Sequence, residues 1–172
     1  MRGSTSMQTK IIGLGNTILS DDGVGIYAVR EVARCLVDCR LGSSVEICET
    51  EVAGFALMEL MAGCEHAILV DSLQLDHLAA GTVLQLNPSD LRTSLRLRSV
   101  HEIDLPTALA LGERLGLSMP RRVSIIGIQA ADALSFGSVL SAPAQRGMLE
   151  AVDLILSNLH ENAISRCSVR YR

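Results

Sequence analysis

The side chains with the clearest chemical potential are two carboxylates and an imidazole that stand far apart in the sequence. Asp22 follows a glycine-rich turn, Asp71 directly follows a run of four apolar residues, and His101 precedes a predicted helix. Carboxylate and imidazole ligands together suit a divalent metal that keeps open positions for water or substrate. Two carboxylates also suit general acid and general base catalysis without a metal. Residue type and spacing leave both kinds of chemistry open.

The turn before Asp22, at positions 13–25, reads GLGNTILSDDGVG. A dinucleotide-binding loop would need a third glycine where Ile18 stands, and no Gly-Lys-Ser/Thr sequence follows as in a phosphate-binding loop. Asp21 and Asp22 would also place negative charge where a phosphate should bind. A purely structural interpretation is a tight glycine turn, with Ser20 as N-cap and the acids at the start of the next helix. Capping accounts for Asp21 better than for Asp22, which is therefore the candidate for chemistry.

The cases for Asp71 and for the histidines rest on position. An acid at the end of a buried strand is costly unless it is paired, metal-bound or reaching solvent, and loop capping by Asp71 is an equally good interpretation. An isolated histidine is most often an idle surface residue, but His101 lies in the loop after the predicted fourth strand, which favours function. His66 precedes a strand, His77 could approach a site from the next loop, and His160 can interact with the dipole of the last helix.

Composition excludes several classes of protein. The 172 residues fit one domain, and 48% apolar with 20% charged residues allow a core, which must be aliphatic because only 2% are aromatic. A net charge of −4 without a basic stripe argues against a nucleic-acid partner. No apolar run reaches the length of a membrane span. We expect one domain over residues 1–172, in which 1–6 are a disordered tail or an added segment and Met7 is the natural start.

The five cysteines, at positions 35, 39, 48, 64 and 167, predict free thiols. Their number is odd and no Cys-x-x-Cys occurs, which suits a reducing cytoplasm. Cys35 and Cys39 are spaced to share one face of a helix, so a pair of metal-binding thiols is conceivable. Burial as two small apolar residues is the favoured interpretation.

Strand and helix patterns alternate along the chain. The fourth strand follows the third after only about ten residues, too few for a helical crossover, so it should run antiparallel at an edge. The pattern predicts an α/β fold of three layers: a mostly parallel, twisted sheet of about five strands with one antiparallel edge strand, and helices on both faces. The predicted strands are Thr9–Leu14, Ser44–Cys48, Ala67–Val70, Thr82–Leu86 and Arg122–Ile128. The predicted helices are Asp22–Val37, Ala53–Met61, Ile103–Leu115 and Ala142–Leu159.

Such sheets bind ligands beyond the carboxyl ends of their strands, where the connections diverge. The sequence therefore predicts a site in the segments after the first, third and fourth strands. These segments are 16–22, 71–76 and the loop that ends at His101. We expect Asp22, Asp71 and His101 to meet at one edge of the sheet.

Three motifs occur in order along the chain. The first is GLGNTILSDDGVG at 13–25, and the second is ILVDSLQLDHLAAGT at 68–82, a buried strand that ends in Val-Asp and precedes Gly-Thr. The third is SVHEIDL at 99–105, a Ser-x-His at the head of a helix, and the late strand in VSIIGIQAADALSFG follows at 123–137. Together they resemble the motifs of the [NiFe]-hydrogenase maturation endopeptidases. The resemblance covers residues 8–159, nearly the whole chain.

The resemblance implies an activity and assigns roles to residues. Enzymes of this family remove a C-terminal extension from a hydrogenase large-subunit precursor after nickel insertion, and nickel carried by the substrate is the recognition element. Asp22, Asp71 and His101 match the family's metal-contacting positions, so they are the expected catalytic and metal residues of this aspartyl-type protease. The implied protein is a cytoplasmic monomer with no tightly bound organic cofactor and no nucleic-acid or membrane partner. Whether a carboxylate or the metal activates the attacking water stays open.

One region departs from the family pattern. After the second strand the family often has an Asp-Gly-Gly-Thr-like stretch that is linked to substrate choice, whereas this chain reads ETEVAGFAL at 49–57 and keeps only Gly54. Glu49 and Glu51 are candidate substrate contacts, although solvated loop charges are the simpler interpretation. Neither the hydrogenase served nor the tail sequence cleaved follows from these residues.

Two other functions compete with the peptidase. A nickel carrier or chaperone for hydrogenase assembly would bind the metal tightly and would not cleave a precursor. A peptidyl-tRNA hydrolase also begins with a strand and a Gly-Leu-Gly-Asn-like turn, but it needs a His-Asn pair shortly afterwards, where this chain has the acid pair. The net charge of −4 also disfavours a tRNA partner.

Overall fold

The computed structural model describes residues 9–37, 44–51, 55–88 and 105–169. Within these ranges the chain forms five strands and four α-helices, with one 3₁₀ turn (Ser20–Gly23) before the first helix. None of these helices is long and apolar enough to cross a membrane. The strands are β1 (Thr9–Leu14), β2 (Val45–Thr50), β3 (His66–Leu73), β4 (Val83–Leu86) and β5 (Arg122–Gln129). The helices are α1 (Val24–Leu36), α2 (Phe55–Met61), α3 (Leu105–Arg114) and α4 (Ala142–Val169).

The five strands form one sheet in the order β2-β1-β3-β5-β4. Strands β1, β2, β3 and β5 are parallel, and β4 runs antiparallel to β5 at the edge. The predicted mostly parallel sheet with one antiparallel edge strand is therefore confirmed. Helices α1 and α2 lie in the crossovers from β1 to β2 and from β2 to β3, because parallel neighbours need such long connections.

The central strands are aliphatic on both sides because helices cover both faces of the sheet. On the first face, Ile11, Ile68 and Ile126 belong to a buried cluster with side chains of α1 and α4. On the second face, Ile12 and Leu69 pack with side chains of α2 and α3. The result is the three-layer arrangement that the sequence predicts.

The two longest helices present the apolar stripes read from the sequence. The stripe of α1 is fully or almost fully buried, and its residues are Val24, Ala28, Val32 and Leu36. The stripe of α4 packs into the same cluster, and its residues are Met148, Val152, Ile155 and Leu159. Burial of these stripes fixes how α1 and α4 lie on the sheet.

The observed bounds differ from the prediction most clearly at β3 and α4. β3 continues past its apolar run because its pairing with β5 persists as far as Leu73 opposite Gln129. Asp71 therefore lies within the strand and does not follow it. The helix α4 continues to Val169, beyond the end of its apolar stripe at Leu159, and no glycine or proline interrupts residues 160–169.

The direction of β4 corrects one step of the sequence argument. Because β4 is antiparallel, its first residue Val83 pairs with Ile128 and its last residue Leu86 pairs with Ile125. The chain therefore leaves β4 at the sheet edge opposite to the carboxyl ends of β1 and β3. The reason given for placing His101 at the site, its position after the fourth strand, was therefore wrong. His101 itself lies outside the described residues, so its place stays a prediction.

Candidate active site

The carboxyl ends of β1 and β3 form the switch point of this sheet, since the connections from these neighbouring strands diverge there. β1 continues through α1 to β2 on one side, while β3 leads to β4 and β5 on the other. The loop at 15–23 leaves β1 at this edge, next to the last residues of β3. Two of the three predicted site segments, 16–22 and 71–76, therefore meet where expected.

Two glycines let backbone segments approach closely at this edge. Gly15 has a φ of +131°, and a Cβ there would clash with the carbonyl oxygen of Asp22. Gly25, in the first turn of α1, lies so close to the carbonyl oxygens of Leu14 and Val70 that a Cβ would clash with both. The glycines thus let the loop and α1 approach the ends of β1 and β3. This close packing accounts for the glycine-rich turn without a bound phosphate.

Asp22 is half-buried and is held by groups from two segments. Its Oδ2 accepts a hydrogen bond from the N–H of Asn16 at 2.8 Å, and its Oδ1 accepts one from the hydroxyl of Ser72 at 3.1 Å. The side-chain oxygen of Asn16 in turn accepts the N–H of Ile18 at 3.0 Å, which closes the loop on itself. The carboxylate singled out from the sequence is therefore anchored both in its own loop and on β3.

Asp71 shares Ser72 with Asp22. Its Oδ1 accepts a hydrogen bond from the N–H of Ser72 at 2.8 Å. Burial raises the pKa of Asp71 to about 7, the Ser72 N–H acts in the opposite direction, and the negative charge of Asp22 raises the pKa further. Near neutral pH, Asp71 thus occurs in both its protonated and its charged form. Ser72 was not predicted as a site residue, because its only signal in the sequence is its place beside Asp71.

The arrangement supports both kinds of chemistry that the sequence left open. A carboxyl group that titrates near neutral pH beside a second carboxylate can accept and donate a proton. The same oxygen atoms could bind a divalent cation, which would displace the proton. Within the described ranges, no group of three or more His, Cys, Asp or Glu side chains could hold a metal ion. The third predicted ligand, His101, lies outside those ranges, so the three-residue metal site stays a prediction.

Asp21 has a different role from the one predicted. Its side chain is fully buried and does not cap α1, whose N-terminus has no side-chain cap. Its carboxylate accepts the N–H and the hydroxyl of Ser141 at 2.6 and 2.8 Å, and the N–H groups of Ala131 and Asp132 at 2.9 and 3.2 Å. Burial acts to raise the pKa of Asp21, but these hydrogen bonds outweigh it and hold the pKa below its ordinary value. Asp21 therefore serves the segment before α4.

Ser20 is not an N-cap either. It opens the 3₁₀ turn with a φ of +41°, and the turn has no side-chain cap. The N–H of Ser20 donates to the carbonyl of Gly137 at 2.7 Å, and the N–H of Gly137 donates to the carbonyl of Ile18 at 3.0 Å. Together with Asp21, these bonds tie the loop that carries Asp22 to the segment 131–141.

Gln129 is a second residue that the sequence analysis missed. It is buried at the end of β5, where its Oε1 accepts the N–H of Leu75 at 3.0 Å and its Nε2 donates to the carbonyl of Ala130 at 3.2 Å. It thereby holds the segment that follows Asp71 against the end of β5. A polar residue that ends an apolar strand is its only signal in the sequence.

The histidines in the described ranges do not contact these carboxylates. His66 opens β3 at the opposite sheet edge, where Nδ1 and Nε2 each lie 3.0 Å from a partner, Arg122 and Ser124 respectively. Because arginine only donates, Nδ1 accepts and Nε2 donates to Ser124. His77 is exposed in the loop after β3. His160 lies within α4, where its Nδ1 donates to a backbone carbonyl one turn earlier, so the dipole interpretation at a helix end was wrong.

Two further interpretations were wrong. Glu49 is exposed, as expected, but it lies in β2 and not in a loop, and it pairs with Arg30 of α1 through contacts of 3.0 and 2.7 Å. Cys35 is exposed on α1 and not buried, and its predicted neighbour Cys39 lies outside the described residues. Glu51 is exposed, as expected of a loop charge. Cys48 and Cys64 are free thiols, as predicted.

Comparison with known proteins identifies the family. The hydrogenase maturation protease family model, HycI, matches residues 27–158, which include Asp71 and His101. The hydrogenase 2 maturation protease of Escherichia coli K12 is 25% identical over 160 residues, which cover 92% of this chain and 94% of that protein. The hydrogenase expression/formation protein HupD of Thiocapsa roseopersicina is 24% identical over 151 residues, 87% of this chain but only 66% of that protein.

A solved structure leads to the same family. The hydrogenase maturating endopeptidase HybD from Escherichia coli superposes with a TM-score of 0.73 at 25% sequence identity, over 91% of this chain and 94% of that one. The shared fold therefore extends over nearly the whole chain. The chain belongs to the hydrogenase maturation protease family, whose members are peptidases.

Proposed function

We propose that the protein is the endopeptidase that removes the C-terminal extension of a [NiFe]-hydrogenase large-subunit precursor after nickel insertion. Family membership supports the peptidase activity and the hydrogenase precursor as partner. The observation that carries the proposal is the meeting of Asp22 and Asp71 at the β1–β3 switch point, where Ser72 donates a hydrogen bond to each. A protein substrate can approach this edge because Asp22 and Asp71, taken as whole residues, are only partly buried.

Peptide hydrolysis needs a group that manages the proton of the attacking water. Water forms a bond to the carbonyl carbon, a carboxylate of the Asp22–Asp71 pair accepts its proton, the C–N bond breaks, and the proton passes to the departing amine. The atoms balance with one water consumed. The two carboxylates can accept and donate the proton, and the Ser72 hydroxyl donates to Asp22, so the reaction class in this proposal is that of an aspartyl-type protease.

Nickel belongs to the substrate in this proposal. Oxygen ligands from Asp22 and Asp71, with the imidazole of His101, would contact the nickel that the precursor carries and so hold the scissile bond beside the carboxylates. Two carboxylates without a thiolate make a weak site, which suits a metal that arrives and leaves with the substrate. A nickel carrier, by contrast, would hold the ion tightly in the absence of the precursor.

The test is mass spectrometry of a purified large-subunit precursor, with and without nickel, after incubation with the protein. We expect loss of the C-terminal extension only from the nickel-loaded form. Asp22→Asn and Asp71→Asn keep the side-chain shape and should slow cleavage at least about a hundredfold, as should His101→Ala. Asp153→Asn, on the exposed face of α4, is the matched control and should cleave at the parent rate.

Each failure has a distinct meaning. Equal cleavage of the nickel-free precursor would contradict nickel recognition but not the protease. Cleavage at the parent rate by both Asp22→Asn and Asp71→Asn would contradict the site. Sub-micromolar nickel affinity in calorimetry, without any cleavage, would instead favour the carrier.

We also propose that the protein works as a monomer in the cytoplasm. The free thiols of Cys48 and Cys64 support a reducing compartment. Sedimentation of the purified protein tests the monomer, and fractionation of the native cell tests the compartment.

A further inference from the structure

More than half of the large apolar side chains that the described residues expose lie beside the candidate site. The described residues expose seven large apolar side chains: Ile18, Val37, Leu115, Leu134, Phe136, Val139 and Leu149. Four of them lie on two segments that are hydrogen-bonded to each other, and we call these four, Ile18, Leu134, Phe136 and Val139, the apolar rim. Three of the four are 79–86% exposed. A concentration of this kind marks an interaction surface more often than a scatter of single residues does.

The composition around the rim strengthens this point. The chain has two phenylalanines, two tyrosines and no tryptophan, yet Phe136 is 86% exposed. Residues 133–145 contain no charged side chain. Exposed aromatic residues and a lack of charge are typical of the centres of protein–protein interfaces.

The rim stands on an ordered scaffold. The side chain of Asp132 accepts the N–H groups of Leu134 and Ser135, both at 3.0 Å, and the hydroxyl of Tyr27 donates to the carbonyl of Ser138 at 3.0 Å. Asp21 holds both ends of the same segment with four hydrogen bonds. Little conformational entropy remains to be lost when a partner covers these side chains, which favours binding.

The rim is continuous with the carboxylate site. Ile18 lies on the same loop as Asp22, and the backbone bond between Gly137 and Ile18 joins that loop to the rim's other residues. A cleft of about 340 Å³ opens beside Val139, between α1 and α4, and its walls include Tyr27. A protein whose peptide bond reaches Asp22 therefore approaches next to the rim.

We propose that the apolar rim is the surface on which the folded body of the protein substrate docks, and that the substrate presents an apolar patch there. The inference rests on the proposed function, since it assumes that the substrate is a folded protein. A stable protein interface covers roughly 800 Å² on each partner, far more than a site loop offers. The rim adds apolar area at the place where the substrate must already lie.

Two other occupants fit less well. A second copy of this chain on the rim would cover the approach to Asp22 and compete with the substrate. A membrane surface would favour unpaired Lys or Arg near the apolar side chains. Residues 133–145 have none, and Arg30, which lines the cleft beside Val139, is paired with Glu49.

The experiment compares the parent with Leu134→Ser/Phe136→Ser, in the full chain. Both side chains are exposed, so the variant should fold, which thermal unfolding checks. The matched control is Val37→Ser/Leu115→Ser, two exposed side chains away from the carboxyl ends of β1 and β3: Val37 follows the end of α1, and Leu115 follows α3 and leads to the start of β5. Two quantities are measured: the dissociation constant for nickel-free precursor, and KM and kcat for cleavage of nickel-loaded precursor.

We expect the rim variant to raise the dissociation constant and KM at least about tenfold, because the interface loses the burial of two large apolar side chains. The kcat should stay within twofold, and the control should match the parent in all three values. A rim variant with an unchanged dissociation constant and KM overturns the inference, as does a loss confined to kcat. Two further results overturn the inference if KM is unchanged: the parent is a dimer and the rim variant is not, or the parent binds vesicles of anionic phospholipid and the rim variant does not.

The proposed function fails separately. If the parent cleaves no nickel-loaded precursor, the peptidase proposal is contradicted, while the dissociation constant still decides whether the rim binds the precursor. A tenfold weaker dissociation constant in the rim variant alone would then support docking without cleavage.

Discussion

Replacement of Asp21 tests the claim that this residue, and not a helix cap, holds the site loop in place. Its carboxylate is fully buried and accepts four hydrogen bonds, two of them from Ser141. Asp21→Ala would leave three backbone N–H groups and a hydroxyl without these partners. Hydrogen bonds to a charged group are worth about 1.5–3 kcal/mol each but are not additive, and breaking a buried charged contact costs about 3–5 kcal/mol. We therefore expect the free energy of unfolding to fall by about 4 kcal/mol.

Urea denaturation measures this change, and the melting temperature should fall by about 10 °C for a domain of this size. The control is Asp153→Asn, an exposed carboxylate on α4 whose replacement should change stability by less than about 0.5 kcal/mol. A loss below about 1 kcal/mol for Asp21→Ala would refute the reasoning, because four buried hydrogen bonds cannot then depend on this carboxylate.

The pH dependence gives an independent check of Asp21. Its pKa in the folded protein lies below the ordinary value of 3.8, so its contribution to stability is fully present above that value and is lost as the pH falls through the folded pKa. The parent should therefore lose stability in acid, below about pH 4, more steeply than Asp21→Asn does. Parallel acid unfolding curves for the two proteins would contradict the observed hydrogen bonds.

Three further predictions follow from the same edge of the sheet. Gly15→Ala should destabilise the protein by about 2–4 kcal/mol and abolish cleavage, because a φ of +131° strains alanine and the new Cβ would meet the carbonyl oxygen of Asp22. The control Gly63→Ala, with a φ of +83° and open space around it, should cost only about 1 kcal/mol. Equal losses of stability in urea denaturation would contradict the clash at Gly15. Because the pKa of Asp71 is raised, the parent loses stability as pH rises from about 4 to 7. Asp71→Asn should therefore have a free energy of unfolding about 2 kcal/mol higher than the parent at pH 8, allowing for partial exposure. A variant less stable than the parent at pH 8 would contradict burial of the charge. Ser72→Ala should lower kcat about tenfold in the mass-spectrometric assay while the melting temperature changes little, because it removes the hydroxyl that donates to Asp22; an unchanged kcat would show that this bond is dispensable.

The fold could be predicted because each element carries a pattern that depends on its own residues. The run Ala67–Val70 is aliphatic throughout because both faces of β3 are covered, and the stripe of α4 repeats with the period of a helix. The short connection between β3 and β4 indicated the antiparallel edge strand for a similar local reason. The end of β3 was missed because pairing with β5, and not the apolar pattern, carries the strand through Asp71.

The position of the candidate site in the fold could be predicted, but not the contacts within it. Parallel strands place their carboxyl ends at one edge, which predicts that Asp22 and Asp71 lie on the same side of the sheet. They are neighbours because β1 and β3 are adjacent, an order that the sequence did not predict. The same rule does not apply to His101, because β4 is antiparallel and ends at the opposite edge of the sheet. Ser72 and Gln129 carried no signal that would separate them from ordinary polar residues at strand ends.

By itself, then, the sequence determined the three layers, the strand that lies at the edge and the side of the sheet on which the acids meet, since these depend on local periodicity and on the lengths of connections. Only the tertiary structure decided what each acid does. Asp21 and Asp22 are adjacent in the chain, yet Asp22 meets Ser72 at a separation of 50 positions and Asp21 meets Ser141 at a separation of 120. Hydrogen-bond partners at such distances are brought together by packing of the whole domain, and no local pattern encodes them.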